Sequence, residues 1–398
     1  MLITDRIFEA FLHCETKAFL YLNGETGEGS EITEWRRRQK EEFNQKSRER
    51  FVSNLATEQW TIGTPSLIRP KQGRYQAVFD YEATSEGVRS LVQLIKVGVR
   101  GKARFSYGPI RFISSHKAAA SDKLMVAFDA LALLQCWKKA PLVGQIARGH
   151  GQEIATFRLD RLLNQAKRLL TSITDRSTKD TPPPILKKHC PECEYQLRCR
   201  KLALEKDDLS LLGNFSEKER KKHHDKGVFT VTQLSYMFKP RRRSSKIKFD
   251  QALRALAIRK KQIHVVGAPV LTKSGTSVYF DVEGDGDRDF YYLIGMRICS
   301  DESCVQHSFW ADNPSYERDM WVTCLNVLGR IPNPQLIHYG SYETHFLDRM
   351  KLRYPDADPV LSAQLISTSI NLLSNHLWTN LFPDPLEWPQ RNRWLLGI

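Results

Sequence analysis

The sequence lacks any apolar run of about eighteen residues, the length that a transmembrane helix needs. Its N-terminus mixes acidic, basic and apolar residues and has no signal-peptide pattern. We therefore expect a cytoplasmic protein with no membrane partner. In that compartment, the 8 cysteines are expected to be metal ligands and free thiols rather than disulfides.

Acidic residues are also scarce relative to basic ones. The chain has 45 Asp and Glu against 60 Lys and Arg, which gives a formal net charge of +15. Between Arg200 and Lys261 there are eighteen Lys or Arg and seven Asp or Glu, so much of the excess lies in one short segment. A concentrated positive charge favours a polyanion partner, and we expect this partner to be nucleic acid.

At 398 residues the chain is too long for one ordinary hydrophobic core, so two or three domains are expected. The first of these is predicted to be an α/β domain. Its patterning predicts helices at 31–51, 121–137 and 159–173 and a strand at 105–115.

Three of the cysteines form a C-x2-C-x5-C pattern, and a fourth lies near the N-terminus. Thiolates at such spacing can converge on one metal centre, and four of them suit an iron–sulfur cluster or a structural zinc ion. The alternative is that they are unrelated small buried residues. The candidate ligands are Cys14, Cys190, Cys193 and Cys199. The remaining cysteines have no paired spacing and are expected to be packing residues: Cys136, Cys299, Cys304 and Cys324.

The basic segment contains the pattern of a helix-hairpin-helix. Ser216 and Glu219 form a capping box that opens one helix, Gly227 suits its left-handed end, and Thr230 caps the next helix. In such a hairpin, turn amides and a helix N-terminus face a phosphate. A generic hairpin with a solvated basic face is the alternative. The candidate nucleic-acid-binding residues are Lys222, Lys226, Gly227, Arg241, Arg242 and Arg243.

Two carboxylates follow the apolar strand predicted at 277–280, and a second strand is predicted at 290–296. Asp281 and Glu283 are two residues apart at the strand end, so their side chains project from the same face. Hard divalent ions bind oxygen ligands, and such carboxylates can hold ions that drive phosphodiester hydrolysis. The alternative is a pair of solvated acids. Glu343, in the sequence His338-Tyr-Gly-Ser-Tyr-Glu343, is the third candidate acid.

These motifs resemble a known family. The segment 11–20, FLHCETKAFL, resembles the opening of RecB-like nucleases of the type found in CRISPR spacer-acquisition proteins. Over residues 1 to about 374, the order of segments resembles a bacterial family of RecB-like nucleases. The resemblance implies an α/β multidomain fold. Residues 1–205 would be a PD-(D/E)xK restriction-endonuclease-like domain, 206–240 a helix-hairpin-helix, 241–270 a basic linker and 271–398 an RNase H-like exonuclease domain.

The resemblance also implies cofactors and an activity. A structural 4Fe–4S cluster would be bound by the four candidate cysteines, with zinc as the alternative because four thiolates suit both. The C-terminal domain would be a 3′–5′ exonuclease of the DEDD type, in which Asp281, Glu283 and Glu343 hold Mg²⁺ or Mn²⁺. DNA is expected ahead of RNA as the partner.

Both predicted active sites depart from the family patterns. A DEDD site needs a final Asp on a late helix, and none of Asp348, Asp356, Asp358, Asp384 and Glu387 has that setting. The tail around 383–389 is hostile to a helix, so the RNase H-like domain is expected to be incomplete, through truncation or translation out of frame. In the N-terminal domain no Asp or Glu occurs from Gly87 to Lys117. Ser115 stands where a metal-binding acid should precede Lys117, so His116 and Lys117 are expected to form a basic surface.

Three functional hypotheses remain open. The first is a metal-dependent nuclease that acts through its RNase H-like domain. The second is a catalytically inactive nucleic-acid-binding or scaffold remnant of that family, which the missing third acidic motif favours. The third is a zinc-stabilised RNA-binding protein. The sequence assigns no protein partner.

Overall fold

The computed structural model describes residues 1–29, 31–63, 75–85, 87–100, 104–137, 141–149, 151, 153–177, 181–187, 189–213, 215–239, 250–262, 264–265, 275–286, 289–299, 303–372 and 380–381. Within these ranges the chain forms twelve α-helices and two mixed β-sheets, together with a two-stranded ribbon. Unit 1 comprises Met1–Pro184 and His189–Arg198, and unit 2 comprises Ile185–Lys188 and Cys199–Ile398. The prediction of an α/β protein with more than one compact unit is confirmed.

Unit 1 contains five helices and seven strands among its described residues. The helices are α1 (Asp5–His13), α2 (Glu15–Leu22), α3 (Glu31–Val52), α4 (Ala120–Trp137) and α5 (Asp160–Ser177). The strands are β1 (Ile3–Thr4), β2 (Trp60–Ile62), β3 (Ala77–Ser85), β4 (Val88–Arg100), β5 (Arg104–Ile113), β6 (Val143–Arg148) and β7 (Glu153–Arg158). The helices and the strand predicted in this region are confirmed to within a few residues.

The strands of unit 1 form one sheet in the order β2-β3-β4-β5-β6-β7, with β1 paired to β4. The pairs β2/β3 and β5/β6 are parallel, and the pairs β3/β4, β4/β5 and β6/β7 are antiparallel. A parallel pair needs a crossover connection, and α4 lies in the one between β5 and β6. Phe128 of α4 is fully buried and stacks on Phe8 of α1, with ring centroids 4.6 Å apart, so α1 and α4 share the core of the unit.

Helix α6 (Gln196–Glu205) begins in unit 1 and continues into unit 2. The other described helices of unit 2 are α7 (Glu217–His224), α8 (Val231–Tyr236), α9 (Gln251–Lys260), α10 (Glu317–Leu328), α11 (Tyr342–Arg353) and α12 (Pro359–Thr368). Its described strands are β8 (His264–Val265), β9 (Thr276–Asp285), β10 (Phe290–Cys299), β11 (Cys304–Trp310), β12 (Pro334–His338), β13 (Ile370–Asn371) and β14 (Asn380–Leu381).

The larger sheet of unit 2 has the order β11-β10-β9-β12-β13. Strands β9, β10 and β11 are antiparallel neighbours, whereas β12 is parallel to both β9 and β13. The core contains Phe280 of β9, Trp321 of α10 and Phe346 of α11, all at most 2 % exposed. The parallel part of the sheet brings the carboxyl ends of β9, β12 and β13 to one edge.

The helical hairpin forms as the sequence predicts. The capping boxes of Ser216 with Glu219 and of Thr230 with Gln233 are both present, and Gly227 has a φ of 74°. The segment 241–270, predicted to be a basic linker, is not a linker throughout. Within it Gln251–Lys260 form α9, which packs against α8. Asp250 begins α9 by accepting the N–H groups of its first turn, a local signal that the sequence prediction missed.

Four cysteines were predicted to be packing residues, but two of them form a disulfide. Cys299 and Cys304 form a disulfide across the ends of β10 and β11, which corrects the expectation of free thiols. Cys324 is buried beside Met296, and Cys136 is half-buried against the core of unit 1. Among the described residues, no helix combines the length and apolar character that a bilayer crossing requires.

Candidate functional site

The acidic pair lies within β9, and not at its end as the sequence prediction placed it. Val278, Phe280 and Val282 are buried on one face of the strand, so the alternating Asp281 and Glu283 share the opposite, partly exposed face. The shared face is confirmed.

The neighbouring strand is irregular beside this pair. Glu283 pairs with Leu293 and Gly284 pairs with Tyr291, so β10 contains one extra residue at this position. Such bulges bend a strand and redirect side chains, and they are frequent next to active sites. The distortion therefore lies directly beside the acidic pair.

Glu343 follows β12 at the same edge of the sheet. The strand ends at His338, the chain turns at Gly340 with a φ of 112°, and Glu343 lies in the first turn of α11. The N–H of Gly340 donates to Oδ1 of Asn371, the last residue of β13, over 3.1 Å. Residues from the ends of β12 and β13 thus fix the turn that presents Glu343.

His338 and Glu343 form a buried polar pair. They are 2 % and 5 % exposed, and Nδ1 of His338 lies 3.5 Å from Oε2 of Glu343. The same nitrogen is 3.1 Å from the carbonyl oxygen of Gly340, and because a carbonyl only accepts, Nδ1 carries the proton. Oε2 of Glu343 and Nε2 of His338 have no hydrogen-bond partner. A buried carboxylate oxygen without a partner costs about 1–3 kcal/mol or more, which points to a ligand or water at this atom.

The carboxylates of Glu283 and Glu343 both influence the phenol of Tyr342. The pKa of Tyr342 is raised to about 12, first by burial, then by Tyr291 and by the carboxylates of Glu283 and Glu343. Both carboxylates therefore act electrostatically on this one phenol. Asp281 and Glu283 share a face of β9, and Glu343 lies beyond the end of β12 at the same edge of the sheet.

The acids that follow Glu343 in the chain pair with other groups, are exposed or lie outside the described residues. Asp356 pairs with Arg318, and Asp358 caps α12 by accepting the N–H of Leu361 over 3.0 Å. Asp348 is exposed on α11. Asp384 and Glu387, like the tail at 383–389, lie outside the described residues.

For unit 1 the sequence predicts a basic surface at His116 and Lys117 in place of a complete nuclease site. Lys117 and His116 are exposed just beyond β5, as expected for a basic surface. The buried acid of this region is Asp129 of α4, which accepts two hydrogen bonds from Arg111 at 2.6 and 2.7 Å and one from Ser90 at 2.6 Å. Both oxygens of this carboxylate are therefore engaged by protein donors.

The segment with the late cysteines packs against the N-terminal helices. Cys190 begins a short 3₁₀ turn, and the N–H of Cys193 donates to the carbonyl oxygen of Cys190 over 3.0 Å. Glu194 joins this segment to α2, because it accepts hydrogen bonds from Lys17 at 2.8 Å and from the hydroxyl of Tyr21. Arg6 of α1 lies 3.7 Å from the same carboxylate.

Cys14, the residue between α1 and α2, belongs to the same unit as this turn. All four candidate ligands are partly buried cysteines that form no disulfide, and burial raises the pKa of Cys193 above its usual value. In the part of the chain that the structure describes, no three His, Cys, Asp or Glu side chains are grouped so that they could hold a metal ion. The donor atoms suit a thiolate-bound metal, but their arrangement is not that of a formed site.

We expect Glu194 to make attachment of the cysteine segment depend on pH. Burial alone would raise its pKa, but the bonds from Lys17 and Tyr21 lower it below the ordinary value of 4.5. A lowered folded-state pKa contributes stability that is present above about pH 4.5 and is lost as the pH falls through the folded value. Urea unfolding of Glu194→Gln should therefore change less between about pH 7 and about pH 3.5 than that of the wild type. Glu41→Gln, on the exposed face of α3, should behave like the wild type, and an unchanged pH dependence in Glu194→Gln would contradict this role.

The amides of the hairpin turn are already bonded within the protein. The N–H groups of Lys226 and Val228 donate to the carbonyl oxygen of His223, both over 3.0 Å, and that of Gly227 donates to His224 over 2.9 Å. These bonds satisfy the carbonyl groups at the end of α7. The turn amides are therefore not free to contact a phosphate, which corrects the sequence prediction.

The N-terminus of α8 is occupied as well. The N–H of Val231 donates to the carbonyl oxygen of Asp207 over 2.9 Å, and the N–H of Thr232 donates to its carboxylate over 2.8 Å. Thr230 accepts the N–H of Gln233 over 3.1 Å. The exposed positive groups of the hairpin are therefore side chains, among them Lys222 and Lys226. Arg241, Arg242 and Arg243 lie outside the described residues.

Comparisons with known proteins assign no family to this chain. No family model matches the chain, and no curated protein matches it. The RecB-like assignment therefore rests on the sequence resemblance and stays a proposal.

Proposed function

We propose that this protein binds nucleic acid and hydrolyses phosphodiester bonds with Mg²⁺ or Mn²⁺ held by Asp281, Glu283 and Glu343. The observation that carries the proposal is the buried Oε2 of Glu343, which has no hydrogen-bond partner and follows β12, the strand paired with β9. A sheet with an antiparallel β9-β10-β11 part and parallel β12 and β13 supports an RNase H-like domain.

The donor set suits magnesium even though no three acids are grouped closely in the described residues. Mg²⁺ is usually bound through one or two carboxylates, with waters and substrate phosphates completing its shell. When bound, such an ion polarises the phosphate and lowers the pKa of a water nucleophile. Asn371 holds the turn between His338 and Glu343 through the N–H of Gly340.

The nucleic acid would meet the hairpin through side chains. Lys222 and Lys226 are exposed, as is Tyr236, which is 73 % exposed. The guanidinium of Arg259 lies 4.0 Å from the ring centroid of Tyr236, which forms a cation–π pair at the surface. Basic side chains beside an exposed aromatic ring bind the backbone and the bases of a single strand, and we expect DNA ahead of RNA.

The N-terminal unit would serve as a scaffold of the RecB-like, PD-(D/E)xK type without its own catalysis. Asp129 is engaged by Arg111, and Ser115 precedes Lys117 where an acid would be needed. This state of unit 1 also supports the second candidate function, an inactive nucleic-acid-binding remnant. The positions of Asp348, Asp356 and Asp358, which do not complete a DEDD site, favour that alternative as well.

A nuclease assay separates these two functions. We expect the wild type to degrade labelled single-stranded DNA in Mg²⁺ or Mn²⁺, and to stop when EDTA is added. Asp281→Asn should reduce cleavage to background, because it removes a negative ligand charge from the metal site. Asp348→Asn removes the same charge from an exposed position on α11 and should cleave like the wild type.

Two other outcomes of the nuclease assay would contradict the proposed site or the proposed activity. Cleavage that survives in Asp281→Asn would place the activity elsewhere and contradict the proposed site. Salt-sensitive binding without any cleavage would support the inactive remnant. A parallel assay on labelled RNA tests the expected preference for DNA.

Cys14, Cys190, Cys193 and Cys199 are proposed to bind a 4Fe–4S cluster, with zinc as the alternative. Glu194 supports this proposal because it ties the turn of Cys190 and Cys193 to α2 through Lys17 and Tyr21 and to α1 through Arg6, the helices that flank Cys14. Its role would be structural, because a bound metal adds its binding free energy to the stability of the fold.

We expect protein purified without oxygen to contain iron and sulfide and to lose both in the Cys193→Ser variant. Removing one of four thiolate ligands should weaken the cluster enough for gel filtration to strip it. Cys136→Ser is the matched control, because Cys136 is also half-buried in unit 1 but donates to the carbonyl oxygen of Thr84. Zinc in place of iron would favour the alternative, and equal metal content in both variants would contradict ligation by Cys193.

A further inference from the structure

Trp310 is an exposed indole at the end of β11. This strand is the outermost one of the larger sheet of unit 2, and the side chain is 63 % exposed. Tryptophan is among the most buried residue types on average, but a single exposed ring does not by itself indicate a role. The position of Trp310 relative to the candidate acids gives the reason to examine it.

The register of the sheet places Trp310 in the same row as Glu283. Trp310 pairs with Leu293 of β10, and Leu293 pairs with Glu283 of β9. Residues directly opposite each other in a ladder project from the same face of the sheet. The indole and the carboxylate therefore share one face, with a single apolar residue between them.

The adjacent row starts at the other acid of β9. Asp281 pairs with Gly295 of β10, and Gly295 pairs with Ser308 of β11, so two small residues follow the acid toward the edge strand. Ser308 is exposed, as is Trp310 beside it on the same face. The face that carries both acids thus continues across β10 to an exposed border formed by β11.

The distance across this face matches a short piece of single strand. Neighbouring strands are about 4.8 Å apart, so the backbones of Trp310 and Glu283 are separated by about 9.5 Å. A stacked strand rises about 3.4 Å per nucleotide. The separation therefore corresponds to about two to three nucleotides.

The indole is attached to a fixed part of the backbone. Trp310 pairs with Leu293 in the ladder, and the N–H of the next residue, Ala311, donates to the carbonyl oxygen of Tyr292 over 3.0 Å. Ala311 is 2 % exposed, so the chain enters the core directly after the exposed ring. A tryptophan side chain has only two rotatable bonds, so ordering it in a contact costs little conformational entropy.

We infer that Trp310 stacks on a base of a single strand whose phosphate lies at Asp281 and Glu283, about two to three nucleotides from that phosphate. This inference rests on the proposed function and adds a substrate class to it, namely single strands of more than two nucleotides. Every base has a π-face, so stacking on one indole tolerates any sequence. The base must be unpaired, because its neighbours cover it in a duplex.

The first test is the dependence of cleavage on substrate length. Single-stranded DNA from a dinucleotide to a dodecanucleotide is cleaved in Mg²⁺. On the longer strands Trp310→Ala should raise KM about 5-fold to 100-fold with little change in kcat, because it removes a stacking contact made equally in the ground state and the transition state. On the dinucleotide, which lacks the stacked base, the variant should have the KM of the wild type.

The second test measures binding without cleavage. Single-stranded DNA carries 2-aminopurine at successive positions, and its fluorescence is measured in Ca²⁺. Stacking quenches this base, so the wild type should quench it most strongly at about two to three nucleotides from one end. Trp310→Ala should lose this maximum.

Three variants separate stacking from a structural effect. Trp310→Phe keeps an aromatic face and should retain most of the quenching. Trp310→Leu keeps an apolar side chain without that face and should behave like Trp310→Ala. Val305→Ala is the matched control, because Val305 is 53 % exposed on the same strand but pairs with Ile298 on the opposite face, and it should change neither signal.

Each combination of results decides the inference. Cleavage by the wild type with unchanged KM and quenching in Trp310→Ala would overturn the inference and leave the nuclease function intact. A rise in KM that is the same for the dinucleotide and the longer strands would also overturn it, because the effect would then be structural. Quenching that depends on the indole, in a protein that does not cleave, would support the stacking and overturn the hydrolysis. Neither cleavage nor such quenching would overturn both.

A second copy of the chain is the other occupant that an edge strand accepts. Gel filtration at two protein concentrations tests it. A dimer that Trp310→Ala converts to a monomer, with quenching unchanged, would assign the indole to a protein contact and overturn the inference.

Discussion

Replacing Arg111 by Met should destabilise unit 1 by about 3–5 kcal/mol, because it leaves the carboxylate of Asp129 buried without a countercharge. Asp129 is 0 % exposed, and Arg111 makes two of the three hydrogen bonds to it. Burial alone would lower the pKa of Arg111, but the Asp129 carboxylate raises it above its usual value, so Arg111 stays charged in the folded protein.

The measurement should resolve the units, because one melting curve of a protein with two compact units does not define a single free energy. Hydrogen exchange in increasing urea, followed on peptides of β5 and α4, reports on unit 1. Arg158→Met, which breaks an exposed ion pair with Asp160, should leave these peptides unchanged. The double variant Arg111→Met with Asp129→Leu should regain much of the loss, because apolar residues can replace a buried ion pair. Unchanged exchange in Arg111→Met would mean that the pair does not stabilise the fold.

Replacing Glu317 by Ala should destabilise unit 2 by about 2–4 kcal/mol, because several buried donors lose their common acceptor. Glu317 begins α10 and is 2 % exposed. Its carboxylate accepts the N–H of Tyr291 and the hydroxyl of Tyr354, both over 2.8 Å, and it pairs with Arg353. One acid thus joins α10 to the irregular part of β10 and to the end of α11.

This variant should also affect the candidate site, since Tyr291 lies at the irregularity of β10 beside Glu283. Hydrogen exchange of β10 and α11 peptides measures the loss of stability, and the nuclease assay measures the effect on the site. Asp319→Asn is the control, because Asp319 is an exposed acid on the same helix. If Glu317→Ala is as stable as Asp319→Asn, the buried carboxylate does not have this role.

Local features of unit 2 were predictable from the sequence because they depend on residues a few positions apart. A capping box needs Ser216 and Glu219 alone, and the end of α7 needs a glycine at 227. The shared face of Asp281 and Glu283 follows from the two-residue period of any strand. These interpretations required no knowledge of the rest of the chain.

Other features could not be predicted because they join distant parts of the sequence. The cap that Asp207 places on α8 comes from about 25 residues upstream and closes the amides that the hairpin pattern had suggested for phosphate. The disulfide between Cys299 and Cys304 follows from the register of β10 and β11, whereas their spacing alone did not indicate a pair.

The sequence by itself determined an α/β protein with a basic helical hairpin and acids alternating on one strand, because periodicity, caps and charge are local properties. Tertiary structure decided which of these groups meet. It buried Asp129 against Arg111, tied the turn of Cys190 and Cys193 to α1 and α2 through Glu194, and joined Glu317 to Tyr291 and Arg353. Such encounters depend on strand order and on burial, and the energetic cost of burying a charge or leaving a polar atom without a partner arises only when the core has formed.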